Sequence, residues 1–337
     1  MNHSYRAYGL TFSLDHPVSG LFPETKGKAP DVVAELTPNP PPWVRQARML
    51  PPFVRSSKGK NIEMVDSPCK LTEFGVGQFF ELAYADGARF VTDNAGSRLW
   101  GTCSDPLTIE DLAVYLRGPV IGFLLQRRGV GVLHASAVCL KEHAVVLCGQ
   151  SAAGKSTTAA ALALRGVPIL CDDIAALRQQ ESSVYVEPAY PRICLWPNAV
   201  RDLFGAPDAL PRLTPTWEKC FLPLDGAHAN FEMQPRPLAV IYILAERKEE
   251  NAPRIEEVTP AEALLELVRN TYMNWFLDRK QRAAEFHTLS EIVAQVPVRR
   301  IVPHLHFSHI DELCSLITTD AIALISSRPS AVILPAR

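Results

Sequence analysis

The chain has 337 residues, of which 47% are apolar, and a formal net charge of −2. This length allows one large domain or two modest ones with a substantial buried core. The near-neutral charge gives no global field that would attract nucleic acid or an anionic membrane. The longest apolar runs, at residues 120–125 and 238–245, are far shorter than the roughly 20 residues of a membrane-spanning helix. We therefore expect no nucleic-acid partner and no membrane partner.

The cysteine pattern indicates a reducing compartment. The chain has eight cysteines, and no two of them form a C-x-x-C pair. Several lie in apolar runs, as Cys148 does, which is typical of buried free thiols and not of a disulfide framework or a zinc site. The first residues also lack an apolar segment of secretory length. Together these features predict a cytoplasmic protein.

The first part of the chain is predicted to be rich in β-structure. Residues 1 to about 60 read as irregular, and the proline-rich run at 38–43 cannot be a helix or a central strand, because proline lacks a donor. Two β-rich runs, at 78–84 and 88–91, flank Asp86-Gly87, which is a hairpin signal. A second turn follows at residues 93–96. We assign residues 1–105 to a β-rich N-terminal region.

Beyond residue 106 the predicted elements alternate between helix and strand. The acidic first turn after Thr108 marks the start of the first helix. The run at 144–148 is apolar on both faces, which is typical of a strand covered by helices in a parallel sheet. The first predicted helices lie at 108–118, 120–128 and 155–165, and the first strands at 132–138, 144–148 and 167–171.

The remaining elements complete an α/β pattern. Residues 259–262 form a capping box with proline at the first helical position. The alternation after residue 130 favours an α/β fold. We assign residues 106–320 to one domain with a helical C-terminal part, and 321–337 to a C-terminal tail. The later strands are predicted at 174–178, 183–186, 192–195 and 238–245, and the later helices begin at Asn198, Thr259 and Ser308.

Residues 149–156 read GQSAAGKS and match the phosphate-binding pattern G-x-x-x-x-G-K-[ST]. The glycines let the loop turn tightly and aim backbone N–H groups at phosphate oxygens, and the following helix presents its positive end to the same anion. Lys155 is expected at the β- and γ-phosphates, and Ser156 at a magnesium ion. We therefore expect ATP and Mg²⁺, bound by Gly149, Gln150, Ser151, Ala152, Ala153, Gly154, Lys155, Ser156 and Thr157.

Two carboxylates and a histidine are candidates for the chemistry. The loop at residues 149–156 is called the P-loop below. Asp172 and Asp173 follow the next strand after the helix that begins at Lys155. Because the carboxyl ends of parallel strands face one crevice, both are expected near the γ-phosphate. One would hold Mg²⁺, directly or through water, and the other would accept a proton from an attacking hydroxyl. His134 would hydrogen-bond to a carboxylate and tune it if its strand adjoins that of Asp172.

The motifs of several other nucleotide-binding protein classes are absent from this sequence. The sequence contains no N-K-x-D for guanine, no L-S-G-G-Q of transporter ATPases, and no G-x-G-x-x-G with H-R-D of protein kinases. Over residues 131–178 the chain instead resembles the bacterial HPr kinase/phosphorylase family. The matching features are LHASAV at 133–138, the P-loop, Arg165-Gly166 and Asp172-Asp173. The resemblance implies a P-loop kinase core of HPr kinase type, with a β-rich N-terminal region and C-terminal helices.

Within that superfamily the chain is similar to the kinases found with lasso peptide biosynthesis genes. The shared segments are LHASAV, YPR at 190–192 followed by LWP at 195–197, and LPRLT at 210–214 with WEK at 217–219. This similarity implies phosphorylation of a C-terminal serine on a precursor peptide, using ATP and Mg²⁺. The Glu-x-Arg-Gly signature of HPr kinases does not occur in the sequence. Its absence argues against HPr as the substrate and against reversal by inorganic phosphate.

The resemblance also implies roles for individual residues. Asp172 would be the general base, His134 its partner, and Asp173 the metal-side carboxylate with Ser156; the reverse assignment of the two aspartates stays open. Three further cations are predicted to neutralise the transferring phosphoryl group, with surface salt bridges as the alternative. These cations are Arg192, Arg212 and Lys219.

The sequence thus predicts an ATP-dependent kinase that phosphorylates a serine hydroxyl of a peptide, the C-terminal serine of a lasso peptide precursor. Three alternatives are an HPr-like protein serine kinase, a small-metabolite kinase and a regulatory ATP-binding module. The peptide is the expected partner. The oligomeric state stays open, with a homo-oligomer among the alternatives.

Overall fold

The structure is a computed structural model that describes residues 2–24, 29–56, 69–181 and 183–327. It has a mixed α/β architecture with two large sheets and one two-stranded sheet. In the described part of the chain, no helix combines the length and the hydropathy needed to cross a membrane.

Nine strands from the first third of the chain form one sheet. The strands are β1 (His3–Ala7), β2 (Leu10–Leu14), β3 (Phe22–Pro23), β4 (Val32–Leu36), β5 (Pro52–Ser56), β6 (Cys69–Phe74), β7 (Phe79–Tyr84), β8 (Arg89–Asp93) and β9 (Arg98–Thr102). Their spatial order in the sheet is β3-β1-β2-β4-β9-β8-β7-β6-β5. The predicted hairpin is confirmed, since β7 and β8 pair antiparallel on either side of Asp86-Gly87.

The prediction that residues 1 to about 60 are irregular is wrong. This segment contributes β1 to β5 and a short helix, α1 (Pro42–Ala47). The strands are short, and β4 pairs in parallel with β9, so the partner that stabilises it lies far along the chain. The helix begins at Pro42, where proline is tolerated because the first helical N–H has no partner within the helix. Residues 57–60, the end of that segment, lie outside the described residues.

The second large sheet carries the P-loop strand. The remaining ten strands of the described residues are β10 (Gly131–Leu140), β11 (His143–Gly149), β12 (Ile169–Cys171), β13 (Ile174–Gln180), β14 (Ser183–Val186), β15 (Arg192–Leu195), β16 (Cys220–Pro223), β17 (Arg236–Leu244), β18 (Arg254–Glu257) and β19 (Val298–Val302). The main order of the second large sheet is β11-β10-β13-β14-β17-β19-β18; β12 pairs with β10, and β11 also pairs with β17. Strands β15 and β16 form the two-stranded sheet.

This sheet is mixed and not purely parallel. Strands β11, β17 and β19 run parallel, whereas β10 is antiparallel to both β11 and β12. The strand that precedes Asp172 is therefore not a direct neighbour of the P-loop strand, because β10 lies between them. However, because β10 is antiparallel to both β11 and β12, these two strands run in the same direction. Both strands consequently end at the same edge of the sheet, where the aspartates and the P-loop meet.

Seven helices follow the first sheet in the described residues. The predicted helix starts at Thr108 and Thr259 are confirmed, and both are capping boxes, which was predicted for Thr259 alone. The long helix after Asp278 was not predicted, although Asp278 and Gln281 form the same kind of cap. The last helix runs beyond residue 320, where the tail was expected to begin; residues 328–337 lie outside the described residues. The helices are α2 (Ile109–Tyr115), α3 (Ile121–Arg127), α4 (Lys155–Ala163), α5 (Pro197–Phe204), α6 (Pro260–Arg269), α7 (Arg279–Gln295) and α8 (Ile310–Ser326).

Apolar layers cover both faces of the P-loop strand. Because side chains alternate along a strand, Val146 and Cys148 of β11 join a core that includes α2, α3 and the N-terminal sheet. Val145 and Leu147 point the other way, into a core with α4 and α8. The predicted burial of this strand on both faces is confirmed, and the loop that follows it is anchored on a rigid strand.

The eight cysteines are all free thiols, and seven of them are buried. Burial raises the pKa of the Cys148 thiol to about 12. A thiol with so high a pKa carries almost no thiolate at neutral pH and is therefore a packing residue. The predicted buried free thiols are confirmed.

Truncating the P-loop strand should destabilise the protein. Leu147 is fully buried, and we expect Leu147→Ala to lower the free energy of unfolding by about 2–5 kcal/mol, because it removes apolar contacts and leaves a cavity. Urea denaturation followed by circular dichroism measures the change. Met49→Ala, at a side chain that is 83% exposed, is the control and should shift stability by no more than about 0.5 kcal/mol. Equal stability of the two variants would contradict the packing described for β11.

Candidate functional site

The loop between β11 and α4 has a backbone that needs glycine at its start. Gly149 has φ 150°, and Ala152 and Gly154 also have positive φ. A Cβ atom at Gly149 would lie 2.7 Å from the backbone oxygen of Leu244. Any side chain at this position would therefore push the loop away from β17. The first glycine of the motif thus serves close packing between the loop and the neighbouring strand.

The Lys155 side chain lies over the loop that precedes it. Its Nζ donates hydrogen bonds to the backbone oxygens of Gly149, at 2.8 Å, and Gln150, at 3.1 Å. The residue is only 7% exposed. The ammonium group is therefore held at the mouth of the loop by two carbonyls.

A cavity of about 480 Å³ opens on this loop, within the range of about 300–1,000 Å³ that is usual for ligand pockets. Of the nine predicted nucleotide-binding residues, six line the cavity. Gly149 and Gln150 contribute the carbonyls that hold Lys155, and Ala153 lines an adjoining cleft. The six lining residues are Ser151, Ala152, Gly154, Lys155, Ser156 and Thr157.

Asp172 is buried beneath the loop, next to Ser156. Its carboxylate accepts hydrogen bonds from Ser136 Oγ at 2.7 Å and from the backbone N–H of Cys194 at 2.9 Å. The side chain of Ser156 is near enough to lower the pKa of Asp172. Burial raises the pKa of Asp172 above its usual value, although these hydrogen bonds act in the opposite direction.

The pair formed by Ser156 and Asp172 suits a magnesium ion. In the described residues, no three His, Cys, Asp or Glu side chains gather into a metal site made by protein alone. Magnesium, however, is commonly held by one or two protein oxygens, with phosphate oxygens and water completing its shell. A hydroxyl and a carboxylate at the base of a phosphate-binding loop provide such a donor set.

Asp173 lines the cavity. His134 Nε2 lies 3.4 Å from Asp173 Oδ1, and the Tyr272 hydroxyl donates to Oδ2 at 3.2 Å. Burial acts to raise the pKa of Asp173, but the hydrogen bond from His134 and the charges of Lys219 and Lys155 lower it overall. Asp173 is therefore an ionised carboxylate, oriented by two donors, at the wall of the cavity.

The expected partnership of His134 with Asp172 is wrong, because His134 contacts Asp173. The reason lies in the register of β10. His134 and Ser136 are two residues apart and share one face of that strand, and His134 pairs with Ile174, just beyond the aspartates. Ser136 consequently meets Asp172, and His134 meets Asp173.

The three predicted cations have different surroundings. Lys219 lines the cavity, with Nζ 4.8 Å from the centre of the Trp196 ring. Arg192, in contrast, donates to Ser19 Oγ at 3.3 Å and stacks over the ring of Phe221. Burial, together with the nearby charge of Arg117, lowers the pKa of Arg192 to about 10. Arg212 lies in a β-bridge with Cys220. Of the three, Lys219 is the cation at the cavity wall.

Two residues of the site were missed by the sequence analysis. Tyr272 follows α6 and reaches Asp173 because Gly122 of α3 leaves room for its ring; a Cβ at Gly122 would lie 2.6 Å from that ring. Arg247 follows β17, lines the cavity and approaches the loop at Gly154. No motif marks either residue, since both are brought to the site by packing between distant segments.

Comparison with known proteins gives limited information. No protein-family model matches the chain, and no curated protein matches it. Among solved structures, the chain is similar to the Hpr(Ser) kinase/phosphatase from Coxiella burnetii, at 14% sequence identity and a TM-score of 0.32. The match covers 58% of this chain and 98% of that one. At this TM-score the likeness is too loose to carry an argument about activity.

Proposed function

We propose that the chain is an ATP- and Mg²⁺-dependent kinase that phosphorylates a serine hydroxyl of a peptide. The observation that carries the proposal is one cavity bounded both by the phosphate-binding loop and by the Asp173–His134 pair. An anion-binding loop alone would fit any nucleotide-binding module. An oriented carboxylate on the same cavity wall adds a group that can accept a proton, which favours phosphoryl transfer over binding alone.

The two aspartates take the reverse of the roles expected from the resemblance. Asp173 is the general base, because it lies at the cavity wall and is oriented by His134 and Tyr272. Asp172 is the metal-side carboxylate, because the Ser156 side chain beneath the loop is near enough to lower its pKa. The lowered pKa of Asp173 supports this assignment, since a base must be ionised to accept a proton.

The residues of the site divide the work of the reaction between them. Lys155 turns from the loop carbonyls to the β- and γ-phosphates. Ser156 and Asp172 would hold Mg²⁺, which would supply positive charge to neutralise the phosphates. The oxygen of the serine hydroxyl bonds to the γ-phosphorus of ATP, and Asp173 accepts the proton of that hydroxyl. The bond between the γ-phosphorus and the bridging oxygen breaks, and ADP leaves. Lys219, on the same wall, stabilises the charge of the transferring phosphoryl group.

For the acceptor we propose the C-terminal serine of a lasso peptide precursor. The sequence resemblance supports this choice, and so does the shape of the site. The reacting carboxylate is only 8% exposed, so its partner must enter a recess, which a free chain end does while ordering few residues. Trp196, 43% exposed beside Lys219 at the rim, offers an aromatic surface to such a segment.

Mass spectrometry tests this acceptor. The full chain, ATP and Mg²⁺ are incubated with a precursor peptide that ends in serine, and with the same peptide ending in alanine. We expect one added phosphate on the serine peptide and none on the alanine peptide. Phosphorylation of HPr with the peptide untouched would contradict the proposal in favour of an HPr-like kinase. Release of phosphate from ATP without transfer to any acceptor would favour a regulatory ATPase module.

A further inference from the structure

Two arginines converge on the loop between β2 and β3 of the N-terminal sheet. Arg117 donates a hydrogen bond to the backbone oxygen of Ser19, and Arg192 Nη2 donates to the hydroxyl of the same residue at 3.3 Å. A Cβ atom at Gly20 would lie 2.7 Å from Arg192 Cζ, so the glycine leaves the room that this guanidinium group occupies. Ser19, Arg117 and Arg192 therefore form one group of side chains, the arginine cluster.

The arginine cluster carries two positive charges. Arg117 is only 2% exposed, and within the described residues neither arginine makes an ion pair. The ionisable groups that act on Arg117 are Tyr8, Tyr190 and Cys194, and burial raises the pKa of all three, so they are neutral at pH 7. Burial and the charge of Arg117 lower the pKa of Arg192 to about 10. Both arginines are therefore charged at neutral pH and repel each other.

This arrangement is typical of a place where an anion binds. A buried charge is normally paired in a folded protein, because removing it from water without a partner costs free energy. A guanidinium group has five N–H donors, and its fork of donors fits a carboxylate or a phosphate. Arg192 is partly exposed and Ser19 is exposed, so an anion can reach the cluster from solvent. A ligand would supply the counter-charge that the described residues do not.

The arginine cluster lies beside the wall of the phosphate cavity. Arg192 and Cys194 are two residues apart on β15 and share one face of that strand, at a spacing of roughly 7 Å. Cys194 lines the cavity and pairs with Phe221 of β16. Arg192 Cζ lies 4.0 Å from the centre of the Phe221 ring. Lys219, two residues before Phe221, also lines the cavity.

The chemistry of the proposed reaction identifies the class of anion. The phosphates of the donor nucleotide are bound by the P-loop. The acceptor must bring its serine hydroxyl to Asp173, and Asp173 and Cys194 line the same cavity. The rest of the acceptor then extends from that cavity, and its carboxylates are the anions that can meet the neighbouring arginines.

We propose that the arginine cluster binds a carboxylate of the acceptor peptide, either its C-terminal carboxylate or an acidic side chain close to the phosphorylated serine. The proposal rests on the function proposed above. It gives Arg192 a role in holding the acceptor, in place of the role at the transferring phosphoryl group that was expected from the sequence. A fork of charged donors binds a carboxylate more tightly than the neutral amide of the same shape, so this site selects among acceptors.

Fluorescence anisotropy tests the site by titrating three labelled peptides with the full chain in the presence of Mg·ADP. The first is the precursor peptide ending in serine, as the free acid. The second is the same peptide with a C-terminal amide. The third is the free acid with its aspartates and glutamates replaced by asparagine and glutamine.

We expect the wild type to bind the first peptide about tenfold more tightly than at least one of the other two. Arg192→Gln should bind all three alike, because it keeps a polar side chain but removes the charge. Arg192 is partly exposed, so the fold should survive this change. Arg269→Gln, at an exposed arginine of α6, is the matched control and should keep the preference of the wild type.

The modified peptide that loses affinity identifies the carboxylate as the terminus or as a side chain. Equal affinity of the wild type for the three peptides, or a preference that persists in Arg192→Gln, overturns the carboxylate site even if the serine is phosphorylated. The expected binding pattern with a peptide that receives no phosphate supports the site and contradicts only the kinase. A wild type that neither binds nor phosphorylates any of the peptides overturns both proposals.

Discussion

Lys155→Ala is expected to lower the turnover of phosphoryl transfer by about 10²–10³-fold or more. The reason is electrostatic: removing one preorganised cation or donor from a water-excluded site has effects of that size. Lys155 is 7% exposed, and its Nζ donates hydrogen bonds to two backbone carbonyls of the loop. Steady-state assays of ADP release with the peptide acceptor measure the change, and nucleotide titration reports the accompanying loss of affinity.

The fold should survive this change, because the hydrogen bonds of the Lys155 ammonium within the described residues go to loop carbonyls and not to the core. Thermal unfolding of the variant should therefore remain close to that of the wild type. Lys280→Ala, at an exposed lysine in the first turn of α7, removes the same charge away from the site and should keep full activity. Near-normal turnover of Lys155→Ala would show that the loop does not bind the reacting phosphates.

Asp173→Asn should lower turnover by about 10²–10⁴-fold, the usual contribution of a general base, while Mg·ATP still binds. The amide keeps the shape of the side chain but cannot accept the proton of the serine hydroxyl. Asp172→Asn should instead weaken Mg·ATP binding, because Asp172 and the nearby Ser156 are the proposed Mg²⁺ ligands. Single-turnover kinetics, combined with titration of Mg·ATP, separates the two effects.

The matched control is Asp202→Asn, at an exposed carboxylate on α5, which should behave as the wild type. His134→Ala should show a smaller loss than Asp173→Asn, since His134 orients the carboxylate and does not accept the proton itself. If Asp173→Asn lost Mg·ATP binding while Asp172→Asn kept it and lost turnover, the two roles would have to be exchanged.

The local features of the site could be predicted from the sequence because each depends on residues close together in the chain. Residues 149–156 match a motif in which the glycines, the lysine and the serine all lie within eight consecutive residues. The buried strand before this segment was recognisable from its continuous apolar run. In the first 60 residues the same approach failed; β4, for example, lies between β2 and the distant β9, and pairing with a distant strand leaves no local pattern in the sequence.

From the sequence, the segment at residues 149–156, two adjacent aspartates and His134 could be assigned to one α/β core. Which aspartate contacts which partner depends on the tertiary structure. Ser136 and His134 share a face of β10, so the antiparallel register with β12 and β13 selects Asp172 for the first and Asp173 for the second. Tyr272 and Arg247 likewise reach the site from distant segments. Pairing register and long-range packing are properties of the assembled sheet, and no single stretch of sequence encodes them.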